Sequence, residues 1–308
     1  MVGVSAPPVI VAVGCLTLDV AHLVDRVPGR NEKTVGLAQT LTFGGPAANA
    51  AATAAALGAR VHLVAPFGRC AVTELVAAQL ATAGVTWHDP SAGLTNPSPI
   101  SSLLVDRATG ERAVISGGVM DVADDARLPE GLVESADAVL VDGHAMPLAR
   151  QAARTAAAHG VPVVLDGGSY KRDLERLLAD VDLAILSADF VAPGGADPLP
   201  WTLAHGARYA AQSAGAGPLR TVGGVLVPVP TVRAVDTAGA GDVLHGAAVA
   251  ALGRLGVRPA RVPASAPVAL RFAVDVATAS VRFPGPRGWI EDPAAAAAMV
   301  AAYRRLGE

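Results

Sequence analysis

Apolar residues along the chain recur in two rhythms. Short, almost wholly apolar runs at Val9–Val13, Val61–Ala65, Ala138–Val141, Val161–Leu165 and Leu183–Leu186 read as buried strands. Helical spacing dominates 72–83, 147–159 and 171–180, with Gly84 and Gly160 standing where helix C-terminal glycines belong. Strand alternating with helix predicts a parallel sheet joined by crossovers, an α/β chain. Two more helices are predicted near 268–282 and 293–306.

A different pattern interrupts this alternation. In 34–43 the residues Val35, Leu37, Leu41 and Phe43 share one face, while Thr34, Thr40 and Thr42 share the other, which predicts a half-exposed strand. Ile100–Val105 and Arg112–Ile115, joined by a turn at Ala108-Thr-Gly-Glu111, form a second region of this kind. Such pieces need antiparallel partners outside a parallel core.

Three stretches carry candidate chemistry. Val225, Val227, Val229, Val232 and Val235 read as a strand leading into Asp236-Thr-Ala-Gly-Ala-Gly-Asp242. Val243, Leu244, Ala247, Ala248, Ala251 and Leu252 then recur at helical spacing, up to Gly253 or Gly256. A glycine-rich turn entering a helix offers free N–H groups and a positive dipole end, a site for phosphate. The Asp242 carboxylate would repel a seated phosphate, so its presence makes sense if it takes a proton from the group attacking that phosphate. Phe43-Gly-Gly-Pro-Ala-Ala-Asn49 opens an alanine-rich helix that stops at Gly58. Gly44 and Gly45 let a ligand approach the backbone, and Asn49 offers both a donor and an acceptor. Asp19 lies beyond the carboxyl end of the first strand, where open α/β sheets bind ligands. It is either an acceptor for sugar hydroxyls or a turn or N-cap residue.

The heptad Asp236–Asp242 resembles the C-terminal signature of the PfkB (ribokinase-like) carbohydrate kinases, and 43–49 is similar to that family's N-terminal signature. The resemblance implies a single α/β domain over 1–308, with a central mostly parallel sheet flanked by helices. It also implies a small β-sheet lid, discontinuous in sequence at about 20–43 and 96–118 and often used in dimerisation, so that a homodimer is the implied assembly. Asp242 would be the catalytic base, with the amides of 239–242, including Gly239, Ala240 and Gly241, as anion hole. Asp19, Gly44, Gly45 and Asn49 would bind the sugar. ATP and Mg²⁺ are the implied cofactors, with a monovalent cation as a further candidate. The C-terminal region would wall the adenine pocket.

Two departures from the family pattern stand out. An Asn-x-x-Glu that organises metal and phosphates is replaced by Ser187-Ala-Asp-Phe190. Asp166 and Asp189 are the carboxylates that could substitute through water, although strand-end and cap roles suit them better. The Thr-x-Gly-x-x-Gly of the preceding strand falls on Ala210, Gln212 and Gly215, and only the glycine matches. The strand at 208–212 is poor, and 213–218 is expected to form a loop near the nucleotide. Ser187, Ser213, Gly215, Thr237, Gly239 and Gly241 are therefore the expected nucleotide contacts.

Composition narrows the rest. The chain of 308 residues is 52% hydrophobic, yet no uninterrupted apolar run is long enough for a membrane helix. No basic leader precedes Pro7-Pro8, so no signal peptide is expected. Cys15 and Cys70 are expected to be buried thiols of a cytoplasmic protein. A net charge of −3 leaves no basic footprint for nucleic acid. Neither a P-loop nor a dinucleotide fingerprint occurs, and the histidines lack metal spacing. His245 either approaches the phosphates or packs on its helix.

The expected function is ATP-dependent phosphorylation of a small sugar. Aromatic residues make up only 4% of the chain, which disfavours a nucleobase, so a ketose or related hexose is expected first. A phosphorylated or anionic sugar is the runner-up and a nucleoside the third choice. Lys33, Ser116 and His144 are candidate substrate contacts, Lys33 as the inward cation. A non-catalytic sugar or nucleotide sensor is the alternative from another class, to which a carboxylate beside a phosphate cradle contributes nothing.

Overall fold

A computed structural model describes residues 6–91, 99–109, 112–118, 122 and 126–307. In chain order the elements are β1 (Val9–Val13), β2 (Thr17–Val24), β3 (Ala38–Gly44), α1 (Pro46–Leu57), β4 (Arg60–Val64), α2 (Thr73–Thr82), β5 (Val85–His88), β6 (Ile100–Asp106) and β7 (Arg112–Ile115). Next come β8 (Ala138–Val141), α3 (Met146–His159), β9 (Val163–Gly167), α4 (Leu174–Leu178), β10 (Leu183–Leu186), α5 (Pro198–Ala204), β11 (Tyr209–Ala214), β12 (Gly217–Thr221) and β13 (Leu226–Val227). The chain ends with α6 (Ala240–Arg254), α7 (Val262–Ser280), α8 (Gly288–Glu291) and α9 (Pro293–Arg304).

A nine-stranded sheet runs β13-β12-β11-β10-β9-β8-β1-β4-β5. Its pairs are parallel except β11–β12 and β12–β13. The strands from β8 to β10 are buried on both faces, as the apolar runs require. One face packs against α1, α6, α7 and α9, the other against α3, α4 and α5. Alanine and glycine let α1 and α6 lie very close. A side chain at Gly246 would overlap the Ala50 carbonyl and crowd Thr53. Overpacking such a contact costs about 1–3 kcal/mol.

The second sheet has four strands in the order β3-β2-β6-β7. The pairs β2–β3 and β6–β7 are antiparallel, whereas β2–β6 is parallel. Asp19 therefore sits on a strand, opposite Thr42, rather than in a turn or cap. The interruption of β2 by Asp19 and His22 hides it in the sequence. Of the expected lid segments, 96–98 and 110–111 lie outside the described residues, the latter with the second half of the 108–111 turn.

Other expectations are corrected. The strand expected through 225–235 shrinks to β13, because Pro228 and Pro230 remove ladder donors and 229–235 runs irregularly. The strand expected at 34–43 starts only at Ala38, and Val35, Leu37 and Leu41 are exposed. Weak β-formers in β11 are held in the sheet by β10 and β12 on either side, so 213–218 is a hairpin rather than a loop. Helix α7 starts before Pro267, not after it. Cys15 is buried, but Cys70 is exposed. Among the described residues no helix is long and apolar enough to cross a membrane.

Candidate active site

Beyond the carboxyl ends of β1 and β8 lies a cavity of about 680 Å³, walled on one side by the small sheet. Asp242 enters it from the first turn of α6. That helix begins at Gly239, whose left-handed φ of 66° turns the chain sharply into it. Asp242 Oδ2 accepts a hydrogen bond from Asn49 Nδ2 at 2.7 Å. Burial, and then the nearby Asp166, push the Asp242 carboxyl up to about 7; the Asn49 bond and His245 oppose the shift.

Asn49 in turn accepts a hydrogen bond from Arg287 Nη1. Arg287 Nη2 donates to Thr42 Oγ1 at 2.6 Å and to the Phe43 carbonyl at 2.7 Å, and its guanidinium lies 3.8 Å from the Phe43 ring centre. Burial lowers Arg287 to about 10, against the pull of Asp19 and Asp242, so it stays charged at neutral pH. Nothing in the local sequence Pro284-Gly-Pro-Arg-Gly288 announces this residue.

Asp19 faces the same cavity, receives the Thr17 hydroxyl at 2.7 Å, and is raised by burial. A side chain at Gly44 would overlap the Asp19 carboxylate, and one at Gly45 would come within 2.6 Å of the Cys15 carbonyl. The glycine pair therefore makes room first for the protein's own groups. Gly45 lines the cavity, as do Asn49, Ser116 and His144. Burial lowers His144, and the Ser116 hydroxyl accepts from the Gly118 amide at 3.1 Å. Lys33 is exposed on the approach to β3 and does not line the cavity; the cations that do are Arg112 and Arg287.

Two carboxylates organise the surrounding backbone. Asp142, buried after β8, accepts the amides of Cys15 at 2.7 Å, Ala47 at 3.2 Å and His144 at 2.9 Å. It thereby joins the end of β1 to the first turn of α1. Asp236 accepts the amides of Ala238 at 2.8 Å and Gly285 at 2.9 Å, and pairs with Arg112 of β7 at 3.2 Å. Sequence reading missed Asp142 as a site-builder because the Cys15 and Ala47 amides it holds are remote. His245 is buried, with Nδ1 2.6 Å from the Gly241 carbonyl and Nε2 2.9 Å from that of Ile185. It supports the turn from below and does not face the cavity.

A second cavity, of about 430 Å³, opens on the other side of the same turn. Ser213, Gly215, Thr237, Ala240 and Gly241 line it, together with aliphatic residues of α7. Ala238, Gly239 and Asp242 line the first cavity. The 237–242 turn is thus the partition between them. The Ala240 amide bonds the Thr237 carbonyl at 3.3 Å, whereas the Gly241 and Asp242 amides meet no acceptor among the described residues. Nothing lies within 4 Å of where a Gly241 side chain would stand. Open space over unpaired amides suits an anion. Ser187 lines neither cavity; its carbonyl receives the Gln212 amide at 3.2 Å and its hydroxyl the Asp189 amide at 3.0 Å. Ala210 and Gln212 are buried in β11, away from both cavities.

The sequence model of the family described as pfkB family carbohydrate kinase matches residues 8–190. A relative from Halopiger xanaduensis, an ATP-dependent ribose-1-phosphate kinase, is 31% identical over 246 residues, which cover 76% of this chain and 81% of the relative. Among solved structures, the ribokinase of Thermotoga maritima aligns with a TM-score of 0.74 at 20% identity, covering 96% of this chain and 99% of that one. Arabidopsis thaliana ribokinase, solved with ribose and ATP, aligns with a TM-score of 0.67 at 21% identity, covering 96% and 99%. These structures share the ribokinase-like fold with the chain.

Proposed function

The chain belongs to the pfkB family of carbohydrate kinases, and from that premise we propose that it transfers the γ-phosphoryl group of ATP to a hydroxyl of a small sugar, with Asp242 as general base. The observation that carries the reading is the position of Asp242 on the partition between two cavities, beside unpaired amides. A sugar in the larger cavity would present a hydroxyl to the carboxylate. As the hydroxyl oxygen bonds to the γ-phosphorus, the bond to the bridging oxygen of ADP breaks and the hydroxyl proton passes to Asp242. The Gly241 and Asp242 amides face the charge that develops on the transferring group.

Mg²⁺ would supply charge neutralisation of the phosphates when bound with the nucleotide. The described residues hold no cluster of three or more metal-ligating side chains, and Mg²⁺ in this reading would ride on the nucleotide phosphates through water. Asp166 and Asp189, the carboxylates expected to hold such waters, line neither cavity: Asp166 is buried 3.3 Å from His245 Nδ1, and Asp189 is exposed. We read the chain as one domain with the small sheet as its lid. The exposed Val35, Leu37, Val114 and Ile115 give that lid an apolar surface for a second copy. The use of ATP supports a cytoplasmic location.

The hydroxyl-bearing wall of Thr17, Thr40, Thr42, Ser101 and Ser116 suits a neutral polyol such as a ketose or hexose. A phosphorylated sugar is the second reading, favoured by Arg112 and Arg287 in the same cavity and by the relative's ribose-1-phosphate activity. ATP turnover on a panel of free sugars, sugar phosphates including ribose 1-phosphate, and nucleosides tests both. Turnover of nucleosides alone would overturn the sugar reading. Binding without turnover of any compound would leave the sensor.

A further inference from the structure

The side chain that accounts for the orientation of Asp242 is not adjacent to it. An asparagine amide can present either end to a neighbour, and only the Nδ2 end is compatible with a carboxylate. Arg287 decides which. A guanidinium has donors and no acceptor, so the end of Asn49 that faces it must be Oδ1, which leaves Nδ2 to face Asp242.

The same guanidinium is itself fixed. Nη2 is committed to Thr42 Oγ1 and the Phe43 carbonyl on β3, and the Phe43 ring covers one face of the plane. Its backbone segment is anchored where the Gly285 amide meets Asp236, the first residue of the turn that carries Asp242. We propose that Arg287 is a positioning residue for Asp242, acting through Asn49, and that by the same contacts it couples the seating of β3 to the orientation of the base. The inference rests on the reading of Asp242 as base. A lysine cannot replace the fork, because one ammonium cannot serve Asn49 and β3 together in a fixed plane.

The charged and titratable groups around Asp242 are Asp166, Asp142, His245 and, beyond Asn49, Arg287; the Cys15 thiol and Asp19 lie nearby. Arg287→Lys keeps a positive charge while releasing Asn49, so its effect on Asp242 isolates orientation from charge. The test is the titration of the Asp242 carboxyl carbon by ¹³C NMR in the full-length protein, assigned with Asp242→Asn. It is measured in Arg287→Lys, Arg287→Met, Asn49→Ala and, with the charge kept, Arg287→Lys/Asn49→Ala. Losing a hydrogen bond to the charged form is expected to raise the midpoint by about one pH unit. The rise is expected in each single variant, with the double variant no higher than Asn49→Ala. The kcat for whichever panel compound turns over should fall about tenfold or more in the same variants, with KM for ATP unchanged.

Additive shifts in the double variant, or Arg287→Lys with a wild-type midpoint, overturn the proposal. Should Arg287→Met fail to fold, Arg287→Lys and its double with Asn49→Ala carry the same comparison. Asp242→Asn with full turnover would instead overturn the base assignment. An inactive Asp242→Asn beside additive shifts would overturn the positioning role alone.

Discussion

The two cavities that meet at the 237–242 turn are built from different materials. On the larger side, polar side chains bond to one another and to the backbone: Asp19 with the Thr17 hydroxyl, Asn49 with both Asp242 and Arg287, Asp142 with three backbone amides. On the smaller side, the walls are the β11–β12 hairpin and aliphatic faces such as Val229, Val274 and Ala277. The first side recognises by directed hydrogen bonds in a buried setting, where a misplaced atom is costly. The second recognises mainly by shape. This contrast explains why the departures at Ala210 and Gln212 leave the smaller cavity standing. Ala210 packs into the core on the α3–α5 face, and Gln212 bonds Arg220 and the Ser187 carbonyl, so neither lines the cavity.

The contrast predicts unequal sensitivity. Asp242→Asn is expected to lower kcat by about 10²–10⁴-fold while sparing binding of both substrates, because it removes the proton acceptor and keeps the shape. Turnover assays with parallel calorimetry check this; near wild-type kcat would end the base assignment. Gly44→Ala should raise the sugar KM by roughly 10–100-fold through displacement of Asp19, at a cost of the order of 1–3 kcal/mol. The ATP KM should stay put, and equal loss for both substrates would erase the distinction between the sides.

Acidity should act through the larger side as well. A base works as the carboxylate, and Asp242 is raised to about 7. As pH falls below 7 the protonated fraction grows, so kcat should drop about tenfold per pH unit and level off above 7. A flat profile from pH 5 to 8 would show that this carboxyl does not govern the rate. The smallest effect belongs to the smaller side. Ala277→Leu adds bulk to an aliphatic wall and should raise the ATP KM about five- to tenfold, the roughly 1 kcal/mol end of what a methylene-sized change in an apolar wall is worth. A shift in sugar KM instead would mean that the cavities communicate more than their linings suggest.

The sequence was most informative where neighbours in the chain are also neighbours in space. Strand runs such as Ala138–Val141 and Leu183–Leu186 are legible because burial on both faces selects contiguous apolar residues. The turn into α6 is legible because glycines, a helix start and Asp242 are consecutive. The Pro46–Leu57 helix and its Gly58 stop follow the same logic. Failures are equally physical. Proline donors missing from 228 and 230 broke a valine-rich strand, and flanking strands imposed β11 on a segment of poor propensity.

The sequence by itself determined the architecture and singled out Asp242 as the proposed proton acceptor, because periodicity and a seven-residue motif are local properties. Only the tertiary structure decided who holds that acceptor. Asn49 lies 193 positions from Asp242 and 238 from Arg287, and Asp142 reaches back 127 positions to the Cys15 amide. Such contacts leave no spacing to read, since any arginine or aspartate elsewhere in the chain has the same local appearance. Lys33 was the inward cation by local pattern, and folding placed Arg112 and Arg287 in that cavity instead. Long-range packing chose among side chains of equal charge by where their strands and loops end.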